Sequence, residues 1–218
     1  MLWQDEGYLL SKNNFDENSI IIETFTLDHG KYSGIVYGGS SRKKKKIFQI
    51  GNKILLNWKS KNENKLGYFN VELLKAISPV YFDDKKRSIC ILSASSILKI
   101  LLPDNQINKK IYNSYEIFIN KLNDENWIKL YLFWELSLIN NLGFETIFKK
   151  ENDFIKINNK NFKIPSVYLR NSDNYTNSDI KEALFFNKSL LIENFLFPNK
   201  IKLPLSRSIL EKYYSINK

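Results

Sequence analysis

The stretch Ile20-Ile21-Ile22-Glu23-Thr24-Phe25-Thr26-Leu27-Asp28-His29-Gly30-Lys31-Tyr32-Ser33-Gly34-Ile35-Val36-Tyr37 decides the architecture. Ile20, Ile22 and Thr24 alternate with Ile21, Glu23 and Phe25, the period-2 pattern of a strand rich in β-branched and aromatic residues. Asp28-His29-Gly30 reads as a tight turn, because Gly30 can take a positive φ without steric cost. A second strand follows over residues 32–37, and Gly38-Gly39 ends it. Working outward, residues 7–10 make a strand before this hairpin. Lys53-Ile54-Leu55-Leu56-Asn57-Trp58 and residues 68–73 make two more after it. Five short strands with turn signals between them predict a small closed barrel.

The texture changes at Pro79. Asp83 and Asp84 are N-cap candidates, since a carboxylate accepts from the open N–H groups of a first turn. Ile89, Leu92, Ile97, Ile100 and Leu101 then recur at helical spacing until Pro103 stops the pattern. A second helix is expected over 110–122. A third is expected over 126–142, capped near Asp124 and closed by Gly143. Trp127, Leu130, Tyr131, Phe133, Trp134, Leu136, Leu138 and Leu142 make this third helix apolar on most sides, so it belongs at the centre of a helical domain. Residues 147–177 read as polar and irregular, with a turn at Asn158-Asn159, and two further helices are expected over 178–195 and 205–214. The chain carries no internal repeat. The predicted class is α+β: a barrel domain over 1–80, then an all-α domain over 81–218 with an irregular polar insert around 147–177.

A chain of 218 residues, 43% of them hydrophobic, can bury a real core, and 14% aromatic content argues against disorder. The formal charge of +10 points toward a polyanion. Abundant Lys, Asn and Ile also follow from AT-rich coding, so the position of the charge says more than its sum. Residues 29–65 carry Lys31, Arg42, Lys43, Lys44, Lys45, Lys46, Lys53, Lys59, Lys61 and Lys65 against Glu63 alone, a balance of +9, whereas residues 1–28 stand at −5. Arg42-Lys43-Lys44-Lys45-Lys46 follows Gly38-Gly39-Ser40-Ser41, which places five cations on a flexible loop between two strands. Such a cluster pairs with phosphates with little sequence preference. Lys31, Arg42, Lys43, Lys44, Lys45, Lys46, Lys53 and Lys59 are the candidate DNA-binding residues, with Arg42 to Lys46 foremost. Tyr32, Tyr37, Phe48, Trp58, Tyr68 and Phe69 lie close in sequence and could stack on bases. Most strand aromatics are core, so at most two are expected to be exposed.

Little in the chain suggests catalysis. The single cysteine, Cys90, lies among Ile89, Ile91 and Leu92 and reads as a buried thiol, so neither a disulfide nor a cysteine metal cluster is expected. The single histidine, His29, beside a turn glycine, reads as a surface or hydrogen-bonding residue and not as a catalyst. Gly30-Lys31-Tyr32-Ser33-Gly34 lacks the Gly-Lys-Ser/Thr ending of a phosphate loop, and no nucleophile elbow is present. No enzymatic activity, cofactor or metal is expected. The opening MLWQDEGYLL has no basic region before an apolar run, and no window approaches the ~20 apolar residues of a membrane helix. The expected compartment is the cytoplasm.

Several motifs, in order, resemble the RecO family of recombination mediators. They are Trp3-Gln4-Asp5-Glu6-Gly7, Glu17-Asn18-Ser19, Phe25-Thr26-Leu27-Asp28-His29-Gly30-Lys31, Val36-Tyr37-Gly38-Gly39-Ser40-Ser41-Arg42, Gln49-Ile50-Gly51-Asn52, Trp134-Glu135-Leu136 and Leu142-Gly143-Phe144. They span residues 1–144; the remainder matches only in general character. The resemblance implies an oligonucleotide-binding (OB-fold) barrel followed by a helical domain. It implies binding of single- and double-stranded DNA and annealing without ATP. It also implies contacts with RecR and the tail of single-strand-binding protein, and help in loading RecA, in the bacterial cytoplasm at the nucleoid. Two departures stand out. Residues 149–171 hold no cysteine or histidine where many members carry a four-cysteine zinc site, so zinc is not expected. Tyr37 stands where relatives often have a basic residue. The rival reading is a protein-interaction adaptor whose helical domain takes an acidic, apolar-tipped peptide, with DNA binding incidental. An RNA-binding barrel and a nuclease are further alternatives.

Overall fold

The first strand, β1 (Leu2–Asn14), starts earlier and ends later than its apolar residues suggest. Its first half pairs antiparallel with β4 (Lys53–Lys59), and its second half pairs antiparallel with β2 (Ile20–Thr26). Gly7 and Tyr8 pair with both partners, and a bulge between Leu9 and Ser11 then bends the strand within its ladder with β2. β2 pairs with β3 (Gly30–Val36), and β4 pairs with β5 (Gly67–Lys75). A short parallel contact of β3 with β5, Gly34 opposite Gly67 and Ile35 opposite Tyr68, completes a closed five-stranded barrel of OB-fold order. This computed structural model describes residues 1–60, 66–144, 154–157, 160–169 and 174–215, so Lys61 and Lys65 lie outside the described residues.

The barrel core is the inward-facing half of each alternation. Leu9, Ile20, Ile22, Val36, Phe48, Ile54, Leu56, Trp58, Phe69 and Val71 form one buried cluster. The chain packs as two compact units, Met1–Tyr112 and Asn113–Lys218. The first therefore holds the barrel together with α1 (Lys85–Leu101) and the first turn of α2 (Lys109–Asn120). Asp84 caps α1, its carboxylate accepting from the Arg87 N–H at 2.9 Å and pairing with the Arg87 guanidinium at 2.6 Å. The Asp84 carboxyl lies below its usual range: partial burial opposes this, but the Arg87 and Lys86 N–H groups and the guanidinium outweigh it. Tyr112 packs against Tyr8 and Phe25, with ring centroids 5.6 and 5.5 Å apart. That contact accounts for burial of Phe25 on the opposite face of β2 from Ile20 and Ile22.

In the second unit α3 (Trp127–Asn141) is buried on most sides, as its composition predicts. Phe118 of α2 stacks on Trp134 with centroids 5.3 Å apart. Gly143 ends α3 with φ +99°, the left-handed conformation expected of it. The insert is more ordered than its polarity suggests. It contains the hairpin of β6 (Phe154–Ile157) and β7 (Lys160–Lys163) and the short helix α4 (Ser166–Leu169). The expected Asn158-Asn159 turn lies outside the described residues. α5 (Asn177–Leu191) begins at a capping box of Thr176 and Asp179 and ends in a π-helical turn over Ile192–Leu196, and α6 (Leu205–Ser215) closes the unit.

A buried ion pair joins α3 to α6. Glu135 and Arg207 are both 0% exposed, with Arg207 Nε to Glu135 Oε1 at 2.7 Å and Arg207 Nη2 to Glu135 Oε2 at 3.1 Å. Arg207 Nη2 also donates to the Leu184 carbonyl at 2.6 Å, and the Tyr131 hydroxyl donates to Glu135 at 2.9 Å. Burial by itself disfavours the charged guanidinium; the Glu135 carboxylate outweighs it and holds the Arg207 pKa above its ordinary value. Arg207→Met leaves Glu135 buried without its partner and is expected to cost about 3–5 kcal/mol, read from urea unfolding. The double variant Glu135→Leu/Arg207→Met is expected to recover most of that loss. A single variant as stable as the parent would show that the pair does not hold the unit together.

Candidate nucleic-acid interface

Strand alternation sorts the barrel surface into rows. On β4, Ile54, Leu56 and Trp58 point inward, leaving Leu55, Asn57 and Lys59 outward. On β5, Phe69 and Val71 are buried and Tyr68, Asn70 and Glu72 are exposed. Register sets Lys59 beside Leu2 and Tyr68, and Asn57 beside Gln4 and Asn70. One end of the face is thus cationic and aromatic, while the other carries Glu6 and Glu72 flanking Leu55.

At the cationic end lies an open groove of about 310 Å³, lined by Leu2, Tyr37, Lys44, Asn57, Lys59, Tyr68, Phe69 and Asn70. Tyr37 is 62% exposed and Tyr68 38%, with ring centroids 6.0 Å apart and planes inclined by 55°. Among the six aromatics singled out from the sequence, these two are the exposed ones. Phe48, Trp58 and Phe69 are core, and Tyr32 is half-buried against Trp3 and Trp58.

The eight candidate cations separate into two groups. Arg42, Lys43, Lys45, Lys46 and Lys59 are exposed, Lys44 half so, and no carboxylate pairs with any of these six among the described residues. Lys31 is buried: its ammonium donates to the Lys99 carbonyl at 2.9 Å, in the last turn of α1, and pairs with Asp104 at 3.1 Å. Lys53 pairs with Glu6 at 2.7 Å and lies over the Tyr8 ring. Lys31 and Lys53 thus serve contacts inside the first unit, and their sequence gave no sign of it, because the partners come from elsewhere in the chain.

The basic loop is more structured than its glycines and serines suggest. Lys44 and Lys45 N–H groups donate to the Ser41 carbonyl at 3.0 and 3.2 Å, and Ile47 N–H to the Lys44 carbonyl at 2.9 Å. Asn52, fully buried, holds its far end. Its Nδ2 donates to the Lys46 and Ile47 carbonyls at 3.2 and 3.1 Å, and its Oδ1 accepts from the Ile77 and Ser78 N–H groups at 2.9 and 3.3 Å. The Lys12 ammonium donates to the Phe48 carbonyl at 2.6 Å, and burial first, then the charge of Lys45, lowers its pKa. The cations are therefore displayed on a series of turns anchored to the barrel.

Residues 1–77 match the family described as Recombination protein O N terminal, and residues 83–182 match Recombination protein O C terminal. The chain belongs to the RecO family of DNA repair proteins. It is 37% identical over 146 residues to the DNA repair protein RecO of Ehrlichia chaffeensis, which covers 66% of this chain and 59% of that relative. It is 34% identical to that of Wolbachia sp. subsp. Drosophila simulans and 32% identical to that of Roseobacter denitrificans, each over 66% of this chain and 60% of the relative. The chain thus spans about three fifths of the length of the curated relatives it matches. No helix among the described residues is long and apolar enough to cross a membrane.

The RecO-like motifs have physical roles in this barrel. Asp5 of the opening motif is buried and accepts from the Asp28 N–H at 2.8 Å, with His29 Nδ1 also 2.8 Å away, so it clamps the β2–β3 turn. The His29 ring stacks on Trp3 at 4.0 Å. Gly30 takes φ +77° and passes against the Gln106 backbone with no room for a Cβ. Asn52 was absent from the sequence-derived candidates, although its place at the end of Gln49-Ile50-Gly51-Asn52 marks it. Asn52→Ala removes four hydrogen bonds beneath the basic loop and is expected to cost about 1–3 kcal/mol. Limited tryptic digestion of the folded variant should cut faster within Lys43–Lys46 than in the parent; equal rates would show that Asn52 does not order the loop.

Proposed function

We propose that this chain is a recombination mediator that binds single- and double-stranded DNA through its barrel and anneals complementary strands without ATP. The observation that carries this reading is the set of exposed cations that have no acidic partner among the described residues, Arg42, Lys43, Lys45, Lys46 and Lys59 with Lys44 between, on anchored turns and an adjoining strand. The barrier to bringing two strands together is the mutual repulsion of their phosphates. A dense cationic loop lowers that barrier by ion pairing and counterion release, and it needs no nucleotide hydrolysis, catalytic side chain, metal or cofactor. Membership of the RecO family extends the reading to RecR and the tail of single-strand-binding protein as partners, and to loading of RecA on DNA at the nucleoid.

Replacing Lys43, Lys44, Lys45 and Lys46 together with Ala is expected to slow annealing of complementary labelled oligonucleotides and to flatten the salt dependence of DNA affinity. Each lost phosphate contact changes the log–log slope by about 0.7–0.9. An unchanged slope and an unchanged annealing rate would remove the loop from the mechanism.

A second reading rests on the helical unit. A cavity of about 590 Å³ there is lined by Phe162, Pro165, Phe185 and Phe186, with Lys163, Lys181, Glu182 and Glu211 as its charged residues; Glu211 is already held by Lys188 at 2.9 Å, which leaves the two lysines and Glu182 in the lining. An acidic peptide with an apolar tip fits those features: rings take the tip and the ammonium groups take the carboxylates. Lys181→Glu is expected to weaken binding of a labelled peptide of that type, the single-strand-binding-protein tail included, by roughly tenfold or more while DNA affinity stays unchanged, one hydrogen bond to a charged group being worth about 1.5–3 kcal/mol. Equal peptide affinity in the parent and the variant would sink this reading.

A further inference from the structure

We infer that the groove between Tyr37 and Tyr68 holds one unpaired nucleobase of a DNA strand, and that this base makes the barrel prefer single strands to duplex. The inference rests on the DNA-binding reading above and adds what a phosphate-binding loop cannot supply. Phosphate contacts are common to single strands and duplex, so a cationic loop by itself discriminates weakly. The face of a base is available for stacking only when the base has left its helix.

Three features of the groove fit such a base. Tyr37 and Tyr68 expose 62% and 38% of their surface, so ring area is open to a stacking partner. Their planes meet at 55° with centroids 6.0 Å apart, which is a corner and not a parallel sandwich. A base can lie flat on one ring while the other closes its edge. The cations are placed at the margins: Lys44, whose ammonium reaches the Tyr37 carbonyl at 3.5 Å, and Lys59, beside Tyr68 in the β4–β5 register, can hold the phosphates on either side of the stacked nucleotide.

The polar part of the lining matches as well. Asn57 and Asn70 are register neighbours on the outer face, and the Asn57 carbonyl oxygen accepts from Gln4 Nε2 at 3.0 Å. Carboxamides carry both donors and an acceptor, so they can meet the edge of any of the four bases. The site should therefore show little base preference. Its volume of about 310 Å³ suits one nucleoside and not a stacked run. The basic turns of Arg42 to Lys46 leave one margin of the groove, so a strand seated there continues along them.

The test measures affinity for a single-stranded oligonucleotide and for a blunt duplex of the same length, at two salt concentrations. Parent, Tyr37→Ala/Tyr68→Ala, Tyr37→Phe/Tyr68→Phe and the Lys43–Lys46 alanine variant are compared. All substituted side chains are exposed or half-exposed, and circular dichroism verifies folding. The tyrosine-to-alanine variant is expected to lose roughly tenfold or more of its single-strand affinity, with duplex affinity and both salt slopes unchanged. The phenylalanine variant is expected to bind as the parent does. A 2-aminopurine base in the single strand should change its fluorescence on binding the parent and not the alanine variant. Equal loss for single strand and duplex, or no loss in either, would overturn the inference while leaving the cationic loop standing. Loss of both affinities in the Lys43–Lys46 variant alone would support the loop and count against the groove. A parent that binds neither form would end the DNA-binding reading itself, and the inference with it.

Discussion

Closure of the barrel depends on one strand serving two partners. β1 pairs with β4 through its first half and with β2 through its second, the two ladders overlapping at Gly7 and Tyr8, and a bulge between Leu9 and Ser11 bends it further along the β2 ladder. A sheet edge left open would present unpaired N–H and C=O groups, and closure removes it. The same pairing sets the register of β4, and through β4 that of β5. Side chains alternate across a pleat, so this register decides that Asn57, Lys59, Tyr68 and Asn70 share the outer face while Trp58 and Phe69 share the core. A slip of one residue would exchange the two sets.

The polar groups that the barrel buries are those that hold its turns. Asp5 satisfies the β2–β3 turn, and Asn52 satisfies both the end of the basic loop and the backbone that leaves β5. Each costs desolvation and each is paired, the condition under which a buried polar residue stabilises one arrangement over others. In the helical unit Glu135 and Arg207 play that part. A hydrophobic pair would fill the same space, but two buried opposite charges require a defined geometry, which fixes how α3 and α6 meet.

Electrostatics divides the barrel along its surface. The acidic opening of the chain does not face the basic segment uniformly; Glu6 takes Lys53, Glu23 takes Lys99, and Asp28 takes Lys109. These pairs consume cations at one end and around the helices. Among the described residues, Arg42 to Lys46 and Lys59 are barrel cations without a carboxylate partner, and they lie close to two exposed rings. A field localised in this way attracts phosphate more effectively than the same charge spread over the surface.

Much of this was legible in the sequence because it is local. Alternation at Ile20 to Phe25, the Asp28-His29-Gly30 turn, the Asp84 cap and the Gly143 stop each depend on a few neighbouring residues, and each stands where the pattern puts it. The run Arg42 to Lys46 was equally plain, and so was the expectation that only two nearby aromatics would be exposed. Local pattern alone puts the first strand at residues 7–10, because Gln4, Asp5 and Glu6 lack β propensity; the family resemblance places Trp3 to Gly7 on that strand, and pairing with β4 makes residues 2–6 part of it. The insert was read as irregular because a short hairpin of polar residues has no periodic apolar signal. Partners distant in sequence were hidden altogether. Glu135 and Arg207 lie 72 residues apart, and nothing in their own neighbourhoods announces a buried pair. Lys53 looked like the other lysines until the β1–β4 register set Glu6 beside it, and Tyr37 met Tyr68 only through the parallel contact of β3 with β5. Sequence determined the elements and the sign of the surface, because those follow from local periodicity and composition. Tertiary structure alone decided which charges remain available and which rings stand together, because both depend on pairing between segments that the chain keeps far apart.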